Sequence, residues 1–297
     1  MTAKTEIVPP ASIAVIGLGN MGLPMANCLL RAGYQVTGFD LSETARQAFS
    51  AAGGQAAANL VEAIQSADLV ITLLPDGKAV RAVLEPLQQN LRPGCVIVDM
   101  SSSDPLGTRS LGESFVEAGF EFVDAPVSGG VKRAADGSLA IMVGGDSDTI
   151  DRIQPLLSAM GRSIFRTGQL GSGHAMKALN NYVSAAGLIA AVEATQIGEK
   201  FGLDPELMAD IFNASTGRNN TTEVKLKQFI ISKKFNAGFP LRLMAKDVRT
   251  ADDLAHAIGV PVPLADTCAK LWDDASKMLG EKADHTEIGR HIEKLKA

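Results

Sequence analysis

Apolar residues in the first half of the chain fall into short runs, each followed by a polar turn. After each turn, apolar positions return every three to four residues. Ile13–Ile16 is the first run, and Gln35–Asp40, Leu69–Leu73, Val96–Met100, Phe122–Ala125 and Ala140–Val143 follow. Short runs with little polar alternation suit strands buried on both faces. Between the early runs, Gly22–Ala32 and Thr44–Ala52 carry helical periodicity. The alternation predicts an α/β fold with a largely parallel, doubly wound sheet.

The pattern changes near residue 170. Gly168-Gln169-Leu170-Gly171-Ser172-Gly173 opens a helical stretch that runs to about Phe201, and Asp204-Pro205 supplies an N-cap and a first-turn proline for the next helix. No convincing strand follows residue 166 or so. The expected organisation is a sheet domain over 1–170 and an all-helical domain over 171–297, joined by the long helix from about 174 to 201. Its most apolar stretch, Tyr182–Val192, is 11 residues long. A membrane span needs about 18, so the stretch reads as a buried helix and no membrane partner is expected.

Composition narrows the function. Hydrophobic residues make up 46% of the 297 and charged residues 21%, ordinary for a globular protein, and the net charge of −5 argues against a nucleic-acid surface. The three cysteines, Cys28, Cys95 and Cys268, form no metal-ligand pattern, so no metal is expected; such sparse thiols fit a reducing cytoplasm. The opening segment MTAKTEIVPPAS contains no apolar core, so no signal peptide is expected.

Gly17-Leu18-Gly19-Asn20-Met21-Gly22 is a GxGxxG that follows a strand and opens a helix. In that context the first glycine permits the turn, the second lets backbone approach a pyrophosphate, and the third lets helix pack on strand. The pattern predicts a Rossmann-type dinucleotide site. Asp40 ends the second strand, 18 residues after Gly22. Its carboxylate would accept ribose hydroxyls and repel a 2′-phosphate, which favours NAD over NADP while leaving NADP open; alternatively Asp40 caps the next helix. Leu73-Leu74-Pro75-Asp76 and Ser101-Ser102-Ser103 follow strands at their carboxyl ends. They either touch the cofactor or are polar turns.

Lys177, Asn180 and Asn181 share one face of the long helix at positions i, i+3 and i+4. The positive helix end and partial burial both favour a neutral amine, as acid/base work requires; a solvated surface lysine is the bland alternative. Ser128-Gly129-Gly130 offers a hydroxyl and two unobstructed backbone N–H groups to a carboxylate, or is an ordinary glycine turn.

Taken together, Ile16–Gly22, Asp124–Gly130, Gly171–Lys177 with Asn180-Asn181, and Lys246-Asp247 resemble the β-hydroxyacid dehydrogenase family. That family includes 3-hydroxyisobutyrate dehydrogenase, tartronate semialdehyde reductase and the related 6-phosphogluconate dehydrogenase. The resemblance spans nearly the whole chain. It implies an oxidoreductase that moves a hydride between NAD(H) and a small β-hydroxyacid or its semialdehyde. It implies Lys177 as the catalytic lysine with Asn181 as its partner. Ser128, Gly129, Gly130 and Asn180 are implied on the substrate, and Leu74, Pro75, Ser102 and Lys246 on the cofactor, with Asp247 pairing Lys246. It also implies a homodimer or homotetramer and a pocket between the domains at the carboxyl edge of the sheet. The helical half is shorter than in 6-phosphogluconate dehydrogenase, which argues against a sugar phosphate. The intact Ser-Gly-Gly separates the chain from sulfolactaldehyde reductases. Retention of Lys177 separates it from imine reductases and from non-catalytic modules of the same fold. Thr216–Thr222 is either a wall of the substrate pocket or a solvated interhelical loop.

Overall fold

The structure is a computed structural model that describes residues 5–295. Residues 1–4, the start of the segment screened for a targeting signal, and residues 296–297 lie outside the described residues. The chain divides into two compact units, Met1–Lys177 and Ala178–Ala297.

In the first unit the chain runs β1 (Ser12–Ile16), α1 (Gly22–Arg31), β2 (Gln35–Phe39), α2 (Glu43–Ala51), β3 (Gln55–Ala56), α3 (Leu60–Ile64), β4 (Leu69–Thr72), α4 (Gly77–Leu87), β5 (Val96–Asp99), α5 (Pro105–Glu117) and β6 (Glu121–Asp124). It continues through β7 (Val127–Ser128), α6 (Gly130–Asp136), β8 (Leu139–Gly145), α7 (Ser147–Met160) and β9 (Gly161–Gly168). The sheet order is β3-β2-β1-β4-β5-β6-β8-β7, with β9 on β8. The strands from β3 to β6 are parallel, and β8 runs antiparallel to β6 and β7. The strand order reverses direction at β1 and β4, the switch point where ligands of doubly wound sheets bind.

Alternate side chains of the central strands feed two cores, as a two-residue period requires. Ile13 and Val15 of β1, Leu69 and Ile71 of β4, and Val96 and Val98 of β5 pack with Met25 and Leu29 of α1 and with α7. Ala14, Ile16, Val70 and Ile97 pack on the other face with Val80 and Leu84 of α4 and Leu111 and Phe115 of α5.

All six predicted strands are present, and the sequence pattern missed three others. β3 and β7 are two residues each, too short to show a period. The β9 segment GRSIFRTG is mostly exposed and polar; it is a strand because parallel pairing with β8 satisfies its backbone.

The second unit is helical. It comprises α8 (Ser172–Phe201) from residue 178 onward, α9 (Pro205–Ala214), α10 (Asn220–Val224), α11 (Leu241–Ala257), α12 (Pro263–Leu279) and α13 (Ile288–Ile292). Ala185, Leu188, Ile189 and Val192 of α8 pack with Met244 and Val248 of α11 and with the fully buried Trp272 of α12. The reading of Tyr182–Val192 as a buried helix needs correction, because Val183 is 68% exposed. Small and apolar residues surround the helix on all sides, but only one stripe reaches this core. The polar stretch Thr216–Thr222 is not a solvated loop along its length. Asn219 caps α10 in a reciprocal capping box with Thr222, and Thr221 and Thr222 are buried.

Asp284 closes this unit. Its carboxylate accepts the N–H groups of Gly238 (2.7 Å), Phe239 (3.2 Å) and Thr286 (2.9 Å) and the Thr286 hydroxyl (2.5 Å). Burial pushes its pKa up, but the His285 and Thr286 hydrogen bonds outweigh that and hold it well below the ordinary carboxylate range. A carboxyl whose folded pKa is depressed contributes stability above its unfolded pKa and loses it as pH falls. Wild-type denaturation midpoints should therefore drop as pH is lowered from about 5 to about 3. Asp284→Asn should cost about 1–3 kcal/mol at neutral pH and flatten that drop. Equal midpoints for the two proteins by urea denaturation would contradict this role.

Candidate active site

The Gly17–Gly22 loop lies between β1 and α1. Gly17 has φ +101°, and a Cβ there would sit 2.2 Å from the Leu73 carbonyl oxygen; a Cβ on Gly22 would meet the Gly17 carbonyl oxygen at 1.9 Å. Both are sterically obliged to be glycine. Gly19 is exposed, and a Cβ on it would meet nothing within 4 Å. Its bare backbone faces open space, which is what close approach of a pyrophosphate requires. No side chain caps the N-terminus of α1. Leu23 donates its N–H to the Gly19 carbonyl at 3.1 Å and Pro24 has none, so what the helix start offers an anion is its positive dipole end.

Asp40 follows β2 directly. It accepts the Leu18 N–H (2.7 Å) on one oxygen and the Ser42 N–H (2.8 Å) on the other. Ser42, not Asp40, caps α2. Asp40 thus ties the glycine loop to the end of β2. Each carboxylate oxygen keeps a second lone pair for a hydroxyl. The Arg46 guanidinium is bonded to the carbonyls of Asp40 (2.6 Å) and Leu41 (3.3 Å).

The loops after β4 and β5 divide their polar residues between structure and surface. Asp76 caps α4. Buried Asp99 accepts the hydroxyls of Thr72 (2.8 Å) and Ser103 (2.8 Å) and the N–H of Ser101 (3.0 Å). The Ser101 hydroxyl accepts the Leu74 N–H at 3.0 Å. Ser101 and Ser103 are therefore held inside the fold, while Ser102 and Leu74 are half-buried and Pro75 is exposed.

Ser128 ends β7. Gly129, at φ +137°, is the N-cap of α6, and Gly130 is its first residue, so the pair opens a short helix that glycine content had obscured. Both glycines are exposed and Ser128 is half-buried.

The residues that start α8 depend on two groups to which the sequence pattern gave no role, Asp124 and His174. Asp124, fully buried at the end of β6, accepts the Gly171 N–H (2.7 Å) and the His174 N–H (2.7 Å), one on each oxygen. Burial raises its pKa, opposed by His174 and by these two amides. Gly173 has no space for a side chain, since a Cβ would meet the Met142 carbonyl oxygen at 2.3 Å and Asp124 at 2.8 Å. The His174 ring bridges Thr108 Oγ1 (2.9 Å at Nδ1) and the Ser101 carbonyl (3.2 Å at Nε2). A carbonyl only accepts, so Nε2 is the donor in that contact. Lys177, half-buried, lies three residues beyond His174, almost one turn.

Farther along α8, Asn180 is exposed and donates to Asn181 Oδ1 at 3.1 Å. Buried Asn181 donates to Asp247 Oδ2 at 2.5 Å, and Lys246 Nζ lies 3.4 Å from Asp247 Oδ1. The second unit thus joins Asn181, Asp247 and Lys246 in one network although 65 residues separate Asn181 from Lys246.

Asp124→Asn turns one oxygen into an amide that faces an N–H donor. The change should cost about 1–3 kcal/mol and speed hydrogen exchange at the Gly171 and His174 amides. Unchanged exchange at those amides would show that the carboxylate does not hold the helix start.

Residues 12–168 match the family described as the NAD binding domain of 6-phosphogluconate dehydrogenase. Residues 171–292 match the family described as NAD-binding of NADP-dependent 3-hydroxyisobutyrate dehydrogenase. The chain is 38% identical to 2-(hydroxymethyl)glutarate dehydrogenase of Eubacterium barkeri over 90% of this chain and 89% of that one. It is 37% identical to NAD-dependent L-serine dehydrogenase of Pseudomonas aeruginosa over 88% and 90% of the two chains. The structure of Mycobacterium tuberculosis 3-hydroxyisobutyrate dehydrogenase with L-serine superposes with a TM-score of 0.89 at 34% identity, covering 95% of this chain and 99% of that one. By sequence, fold and domain content, the chain belongs to the β-hydroxyacid dehydrogenase family, NAD-binding oxidoreductases that act on the hydroxyl group of small hydroxyacids.

Proposed function

We propose that this chain moves a hydride between NAD(H) and a small hydroxyacid HO–CH2–CH(R)–COO⁻, or its semialdehyde, with Lys177 as the acid/base. The observation that carries the reading is the start of α8, where Lys177 follows a helix end fixed by Asp124 and His174. Asn181 shares its face one turn on and is held by buried Asp247. The substrates named for the relatives above, 2-(hydroxymethyl)glutarate, L-serine and 3-hydroxyisobutyrate, share this core and differ only in R. The reduced form of tartronate semialdehyde shares it too.

In this reading the Ser128 hydroxyl and the Gly129 and Gly130 N–H groups hold the carboxylate. Asn181, with Asn180 beside it, orients the hydroxyl. The neutral Lys177 amine accepts the proton from the hydroxyl oxygen as the hydride leaves the carbon that bears that hydroxyl, and returns it in the reverse direction. Bound NAD supplies the hydride acceptor. Gly17, Leu18, Gly19, Asn20, Met21 and Gly22 cradle its pyrophosphate, Asp40 its adenosine ribose, and Leu74, Pro75 and Ser102 its nicotinamide half. Lys246 adds a cation beside it while anchoring Asp247. Residues 1–170 form the cofactor domain and 171–297 the helical substrate and assembly domain. The exposed apolar row Leu179, Val183, Ile197 and Phe201 on α8 supports assembly into a homodimer or homotetramer, which sedimentation velocity would read directly. The three buried, unbridged thiols support a reducing, cytoplasmic setting.

Lys177→Ala should fold and bind NAD but lose roughly 10²- to 10⁴-fold in kcat. NADH absorbance with hydroxyacids of this form measures it, and near-wild-type turnover would sink the mechanism. In the same assay NAD(H) should give a higher kcat/KM than NADP(H), with Asp40→Ser narrowing the gap. A wild-type preference for NADP(H) would remove the role assigned to Asp40.

A further inference from the structure

Lys225 of the second unit is drawn partly out of water with no ion-pair partner among the described residues. Lys225, at the C-terminal end of α10, is half-buried, and among the described residues its one hydrogen bond is a long one, 3.4 Å to the Ser184 hydroxyl of α8. It forms no ion pair among the described residues. Desolvation lowers its pKa, only partly offset by the more distant Asp284. Lys227, two residues on, shows the ordinary arrangement: its amine lies 2.6 Å from Asp210 and 3.3 Å from Glu206. Lysine is rarely withdrawn from water without a partner, because the ammonium loses hydration and gains nothing in return. The hydroxyl of Thr221, one turn before Lys225, is also buried without a hydrogen-bond partner.

The place where Lys225 arrives gives this a direction. Ser184 lies seven residues after Lys177, two turns along α8 and on the same face, about 10 Å along the axis. Asn181 lies between them on that face. Asn219, the cap of α10, packs against the same helix at Gly187, where a Cβ would lie 3.5 Å from its amide nitrogen. α10 therefore crosses α8 just beyond the acid/base residues and presents one uncompensated ammonium there.

We infer that Lys225, with Ser184, binds a second carboxylate, so that the substrate is a hydroxy dicarboxylic acid whose R group ends in an acid. The inference rests on the reading of α8 as the catalytic helix. Two ammonium protons of Lys225 remain for an anion, and a carboxylate brought there restores the charge balance that folding leaves open. A methyl group at R would leave the ammonium desolvated and unpaired, so the site discriminates against the monocarboxylic acid as well as selecting the dicarboxylic one.

Two arms test it. In the first, calorimetry of the NAD-loaded protein compares glutarate with pentanoate, neither of which can be oxidised at a hydroxyl. Glutarate should bind about 10- to 100-fold more tightly, as expected for a charged hydrogen bond. Lys225→Met should abolish the difference and Lys225→Arg should keep most of it. In the second, turnover of 2-(hydroxymethyl)glutarate is compared with that of 3-hydroxyisobutyrate. The loss in kcat/KM for Lys225→Met should fall mainly on the dicarboxylate and mainly in KM. Lys225→Met should melt no lower than wild type, because an unpaired charge leaves the interior. Equal binding of glutarate and pentanoate by wild type, a preference that survives Lys225→Met, or a clear fall in its melting temperature would overturn the inference. If Lys177→Ala turned over normally, the mechanism would fall while the glutarate arm still decided the role of Lys225.

Discussion

The placement of Lys177 depends on one buried carboxylate, that of Asp124. A helix that begins inside a protein leaves N–H groups without partners, and burying them unsatisfied is expensive. Asp124 supplies one oxygen to Gly171 and the other to His174. It is carried by β6, beside the strand that bears Asp99. The start of α8 is thereby fixed to the edge of the parallel sheet. Gly144 and Gly173 keep the contact tight, since a Cβ on either would come within 2.8 Å of the Asp124 carboxylate. The same carboxylate favours the positive end of the helix dipole.

From that point the polar interior follows as a chain of obligations. His174, oriented by Asp124 through its backbone, uses its ring to join Thr108 of α5 to the carbonyl of Ser101. Ser101 in turn positions Leu74, and Asp99 holds Thr72, Ser101 and Ser103. The loops at the carboxyl edge are thus set by a shared network of buried hydrogen bonds, and partial satisfaction of such a network would be costly. Its members are structural, but they decide which loop residues are left on the outside. In the second unit Asp247 plays the matching part, holding Asn181 with one oxygen and Lys246 with the other.

These buried carboxylates also separate two uses of charge. Asp247 and Asp284 are surrounded by donors from the protein itself. Lys225 is not compensated in this way. Leaving Lys225 without an ion pair among the described residues gives up stability at that point, as binding sites do.

What the sequence determined by itself was local. Strand and helix periods, the GxGxxG turn and the Asp204-Pro205 helix start all depend on neighbours a few residues away, and they were legible with the sheet-then-helix order. The family motifs named Lys177, Asn181 and Ser128, again as short strings. Tertiary structure decided everything that rests on distant partners. β9 is a strand only because β8 lies beside it. Ser101 and Ser103 are interior and Ser102 is not, although the string Ser-Ser-Ser makes no distinction. Asp40 secures the glycine loop, and the neighbouring Ser42 takes the cap. Lys225 and Lys227 stand two residues apart, the first capping α10 and the second in the helical turn that follows; Lys227 is neutralised by Glu206 and Asp210, while Lys225 reaches Ser184 with no ion pair among the described residues. A side chain's charge is written in the sequence, but whether that charge is compensated depends on what the fold brings within about 4 Å of it.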